Sequence, residues 1–169
     1  MLEGIGTVNW DSLGFPEMPM WLAEIASGGI SPHEKAIDGL RQKIAPWQLL
    51  AGYGSTVEYA QFHGLINSEI LFYTIPFLIE LIQSVITNDA DKVSLLDLLY
   101  ELCRYRYLVN SIPLAEKDNF EAWICEVYDL ILRGKDIYVE ICKKGSSELQ
   151  GAAKDILTVL ESDAQNCLQ

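Results

Sequence analysis

Residue types that carry chemistry are scarce in this chain. There are two histidines, His33 and His63, and four cysteines, none in a CxxC or CxC spacing. A zinc centre needs several such ligands at short spacings, so neither a metal nor a cofactor is expected. Basic residues are few: 12 Lys and Arg stand against 24 Asp and Glu in 169 residues, a formal charge of −12. Nucleic-acid affinity rests on cations at phosphates, and anionic membranes repel acid, so both drop out as partners. Gly52-Tyr53-Gly54 lacks the third glycine and the preceding strand of a dinucleotide loop. Ser55 is not a nucleophile elbow, because Val57 stands where the elbow needs glycine. Met1 to Trp10 has no basic residue and no long apolar run, which predicts no secretory leader. The most apolar stretch, Ile70 to Ile86, is about 17 residues long and carries Pro76, Glu80 and Gln83. That is short for a bilayer span, and a mid-span acid is costly, so a buried helix is expected.

What remains is helical periodicity. Val93, Leu95, Leu96, Leu98, Leu99, Leu102 and Cys103 recur at spacings of three and four, as do Leu149, Ala152, Ala153, Ile156, Leu157 and Leu160. No run alternates with a period of two and no low-complexity linker occurs, which predicts one all-α domain of about eight helices. Short loops make sequential helices antiparallel. Residues 1–17 carry Gly4, Gly6, Gly14 and Pro16, with Trp10 and Phe15 between them, and read as an irregular lead-in pinned by its aromatics; residues 162–169 read as a frayed tail.

Local signals place the helix ends. Pro19 suits a first turn of a helix stopped by Ser27-Gly28-Gly29. Ser31-Pro32 with Glu34 looks like a capping box, and Pro46 ends or kinks that helix. Ser55 caps a short helix through Phe62, and Asn67 or Ser68 caps the apolar helix, which belongs at the centre. Asn88 to Asp91 puts acid at the start of a helix running to about Leu108. Asp118 or Asn119 starts the next, Gly134 breaks or bends it, Ile137, Tyr138 and Ile141 continue helical spacing to Lys143-Lys144, Gly145 closes it, and Ser146 or Ser147 caps the last. Cys103, Cys125 and Cys142 fall inside helices and read as reduced core thiols of a cytoplasmic protein, with Cys167 exposed in the tail.

The candidate chemistry is thin. His63 has no carboxylate or second histidine to pair with, and Glu58, Glu69 and Glu80 are eleven apart, not the three or four of a metal-binding helix. Glu80, inside the apolar helix, either pairs with a cation across the packing or points into a groove. Tyr100, Tyr105 and Tyr107 alternate with Arg104 and Arg106, but core packing or a protein contact suits them better than a stacking site for single strands. The acids Asp97, Glu101, Asp129, Asp136, Asp155 and Glu161 recur on polar helix edges. The plain account is a solvated face. The sharper one is an acidic ridge for a basic protein, with Asp97, Glu101 and Tyr105 as first contacts and Asp155 next.

Two stretches resemble HEAT-like α-solenoids. One is Leu130 to Ile141 followed by Glu148 to Leu157, a helix pair whose second member carries Gly151-Ala152-Ala153 and then aliphatics. The other is Trp47-Gln48-Leu49-Leu50 with Tyr53-Gly54-Ser55, then Ile75-Pro76-Phe77-Leu78-Ile79-Glu80-Leu81-Ile82. That order is similar to a bacterial group of poorly characterised HEAT-like proteins, although the His-Gln-Gly segment often seen there is missing. The resemblance covers about residues 40 to 160 and implies an α-α superhelix. It also implies a non-enzymatic binding role, most concretely a cytoplasmic immunity protein covering the active site of a basic secreted toxin. A lyase-like or small-molecule-binding helical-repeat protein is the alternative, with His63 or Glu80 in a cavity. A scaffold subunit, with an exposed apolar patch at the Trp10 to Trp21 end, is a further one.

Overall fold

In a computed structural model, residues 2–45, 69–107 and 114–163 are described. They form seven α-helices and no strand: α1 Met18–Ala26, α2 Glu34–Ile44, α3 Ile70–Gln83, α4 Asp89–Arg104, α5 Leu114–Leu132, α6 Lys135–Lys144 and α7 Ser147–Asp163. The short helix expected over 55–62, along with Trp47, His63 and Cys167, lies outside the described residues.

The centre is α4 rather than α3. Leu95, Leu96, Leu98, Leu99, Leu102 and Cys103 are all fully buried, so α4 hides more than one stripe, and it packs against α2, α3, α5 and α7. Helix α3 packs on α1, α4 and α5 but keeps a wet strip at Glu69, Tyr73, Pro76 and Gln83. Pro76 sits on that strip, where water can serve the carbonyl freed by its missing N–H. A proline there costs less than one facing the core. Neighbours two apart in sequence also touch, α1 with α3, α2 with α4 and α3 with α5, while α4 meets α7 three helices on.

The lead-in is pinned as its aromatics suggest. Trp10 is buried, its Nε1 donates to the Ile5 carbonyl at 2.8 Å, and its ring lies 6.1 Å from that of Phe77. Glu80 completes the anchor by accepting the Leu2 backbone N–H. Leu2 has a φ of 55°, in the region that L side chains avoid, so this carboxylate and the burial of Leu2 hold a strained residue.

Helix boundaries depart from the local signals at three places, the simplest being α4, which ends at Arg104 and passes into a 3-10 turn over residues 105–107 rather than running to about Leu108. Helix α2 starts at Glu34, with His33 in the N-cap position and no side-chain cap, so Ser31 and Glu34 do not form the expected box. The reason is distant in sequence: the Asp91 carboxylate accepts both the His33 backbone N–H and its ring Nδ1, each at 2.7 Å. Helix α5 starts at Leu114, directly after Pro113 and four residues ahead of Asp118. Asp118 then falls in its opening turns, where the helix dipole favours acid. Between α5 and α6, Gly134 is required by contact rather than by φ. A Cβ there would lie 2.3 Å from the Tyr138 hydroxyl, which donates to the Ile131 carbonyl at 3.1 Å.

Candidate functional site

Three of the four partner-binding candidates converge, although they sit on helices separated by α5 and α6. Packing of α4 on α7 sets Asp97 close enough to Asp155 that the two repel each other, and Glu101, one turn on along α4, feels the Asp97 charge. Arg41 of α2 enters from the side. Its Nε lies 3.3 Å from the Glu101 carboxylate, and its Nη1 is 3.8 Å from Asp38. Arg104 adds a weaker attraction for Glu101. This corner therefore holds four acids, Asp38, Asp97, Glu101 and Asp155, against two arginines.

The charge is under-compensated, and the pKa shifts of Asp97 and Glu101 follow from it. Loss of hydration raises the Asp97 pKa above its ordinary value; Arg41 pulls it back and Asp155 pushes it up again. Glu101 is raised as well, first by desolvation, with Arg41 and Arg104 opposing and Asp97 adding to the rise. Asp97 and Asp155 are exposed and Glu101 is half-buried, so a charged ligand can reach all three. Carboxylates held above their usual range at an accessible surface gain from any cation that settles among them.

Tyr105 does not belong to this surface. It is fully buried, and burial, then the Glu101 charge, pushes its hydroxyl far up in pKa. The expectation that it contacts a partner is corrected. The chain turns into a single 3-10 turn over residues 105–107, and this rotates Tyr105 inward while leaving Tyr107 65% exposed. Tyr100 is half-buried beneath the Arg104 guanidinium, 5.9 Å from its ring centre. The ridge is also shorter than a single wall. Asp129 and Glu161 are exposed on α5 and α7, and Asp136 lines a separate cavity.

That cavity, of about 670 Å³, opens where the end of α3, the start of α4, α6 and the start of α7 meet. Buried Ile82 and Leu149 and half-buried Ile137 and Ile141 form its apolar part. Val85 stands at its edge, 96% exposed. The charges around it are mixed: Asp89, Asp136 and Glu140 with Lys92 and Lys144. Glu80, which the enzyme reading needs in a pocket, does not line it and is committed to the Leu2 amide; His63 lies outside the described residues.

One arrangement escapes sequence reasoning altogether. Asp91, fully buried, accepts the two bonds from His33 and a third from Asn88 Nδ2 at 2.8 Å, while Asn88 Oδ1 caps α4 by accepting the Asp91 N–H at 2.9 Å. Asn88 Nδ2 also reaches the Gly29 and Ser31 carbonyls at 3.4 and 3.3 Å. The turn before α2 is thereby stapled to the turn before α4. Asn88 and Asp91 are legible as a helix start, but their hold on residues 58 positions away is not. Among the described residues, no group of three or more His, Cys, Asp or Glu could hold a metal ion, and no helix is long and apolar enough to cross a membrane.

Comparison with known proteins finds no match for the chain: no family model, no curated protein and no solved structure corresponds to it.

Proposed function

We propose that this chain is a non-enzymatic, cytoplasmic protein-binding module that engages a basic protein through the α4–α7 corner. One observation carries the reading. Asp97 and Glu101 of α4 and Asp155 of α7 come from two helices that are not adjacent in sequence; Asp97 feels the Asp155 charge, Glu101 feels the Asp97 charge, and the pKa values of Asp97 and Glu101 stay raised despite Arg41. A cation from a partner relieves their repulsion and offsets part of their lost hydration. The net charge of −12 adds long-range attraction for the same class of partner. Contacts between alternate helices favour a HEAT-like α-α arrangement for the N-terminal half, closed off at the other end by the α4–α7 contact.

In its most concrete form the partner is a basic secreted toxin, and this chain is the bacterial immunity protein that covers its active site. The test is isothermal titration against the basic domain encoded beside this gene, with wild type and the triple variant Asp97→Lys, Glu101→Lys, Asp155→Lys. The proposal expects binding that weakens at least about a hundredfold in the variant, as paired interface charges do when reversed. In mildly acid buffer, where the raised carboxylates are part-protonated, it also expects proton release on binding, because a cation lowers their pKa values. Wild-type binding that the triple variant leaves unchanged rules out the ridge. Absence of binding to that domain rules out the immunity form.

A further inference from the structure

We infer that the cavity between α3, α4, α6 and α7, together with the turns beside it, is an interface for a second copy of this chain. The argument does not rest on the acidic ridge. Three large apolar side chains stand in water on two neighbouring turns: Ile30 is 102% exposed, Val85 96% and Ile86 54%. These turns are fixed in place. Asn88 holds the carbonyls on either side of Ile30, and a Cβ on Gly28 would lie 2.3 Å from the Ile86 side chain, so only glycine lets the two turns close. Gly28 has a φ of 69°, which also favours glycine. Exposed apolar groups on a rigid mount, beside an apolar recess, mark an interaction surface.

The charges select the occupant. The chain as a whole repels its own kind, but the recess is edged by three acids and two lysines, a local balance close to neutral. A basic partner finds little advantage there over the rest of the surface. Lys144 is already met by Glu140 at 2.8 Å, whereas Lys92, Asp89 and Asp136 make no ion pair with any described residue. Charges of both signs left open around one patch are what a two-fold contact needs, since each copy supplies the counter-ion the other lacks. A knob and a recess that share Val85 meet the same requirement in shape. A two-fold axis passing between Val85 and the recess sets Val85 of each copy against Ile137 and Ile141 of the other.

Sedimentation equilibrium over a range of concentrations tests this. Wild type is expected to show a reversible monomer–dimer equilibrium. Val85→Asp should raise the dimer dissociation constant by about tenfold or more while leaving the far-ultraviolet circular dichroism and melting temperature unchanged, because Val85 has almost no contacts to lose within its own chain. At about 0.1 M salt, where most of the self-repulsion is screened, the double ridge variant Asp97→Asn, Glu101→Gln should dimerise within about twofold of wild type. The inference is overturned by a wild type that stays monomeric at every concentration, by a Val85→Asp protein that still dimerises with wild-type affinity, or by loss of the dimer in the ridge variant.

Discussion

Asp91 shows how much one side chain can settle. A fully buried carboxylate is stable only when its oxygens are filled, and here three donors from two segments fill them. Replacing it with alanine strands the His33 amide, the His33 ring and one amide hydrogen of Asn88 at once. Asp91→Ala should therefore cost about 3 kcal/mol or more, read as a lower urea midpoint with an unchanged slope. His33→Ala, which leaves the backbone N–H and Asn88 on the carboxylate, should cost only about 1 to 2 kcal/mol. Equal losses for the two would mean that Asp91 acts through the imidazole alone and that the turn-to-turn staple is idle. None of this is readable from residue types in order. The Asn88 cap is local, and so visible; the closure over 58 residues depends on how α2 and α4 come to lie side by side.

At the level of helices, periodicity and placement part company. The stripes of α4 and α7 are legible because helical spacing is a local property, and Leu95, Leu99, Leu102, Ala153, Ile156 and Leu160 are all buried. Which helix lies centrally is not local, and composition misleads: α3 is the more apolar helix, yet it keeps a wet strip, while α4 carries acids and is enclosed on several sides. Listing acids on polar edges picks out Asp97, Glu101 and Asp155, which lie on the packed pair α4 and α7, but it also admits Asp136, which lines the cavity; the tyrosine chosen with them, Tyr105, turns inward. The α4–α7 packing has a measurable consequence. Asp97 and Glu101 have pKa values raised on folding, so protonation favours the folded state. Their contribution is fully present below the ordinary carboxylate values, near about pH 4, and is lost as pH rises through the raised ones. Asp97→Asn should thus stabilise the protein at neutral pH, by roughly 0.5 kcal/mol because solvent screens an exposed carboxylate. The gain should shrink toward zero at acid pH. Melting curves of both proteins from acid to neutral pH check this, and a variant less stable than wild type at neutral pH contradicts the under-compensated corner.

For the whole molecule, the two proposed contacts are expected to answer to salt with opposite sign. Encounter with a basic partner is driven by the field of a chain carrying −12, so its association rate should fall steeply as ionic strength rises. Self-association works against that same field. With charge centres about 30 Å apart, repulsion between two copies is roughly 7 kcal/mol at about 0.01 M salt and about 1 kcal/mol at about 0.1 M, where the screening length is near 10 Å. Cross-pairs such as Lys92 with Asp136 are exposed and contribute about 1 kcal/mol or less each, so what salt removes from them is smaller than the repulsion it removes. Added salt should therefore tighten the dimer over this range while slowing capture of the basic partner. Stopped-flow association rates and sedimentation equilibrium across the same salt series measure the two slopes. Slopes of one sign would mean that both events use the acidic corner, and the division of this molecule into a charged face and an apolar one would not stand.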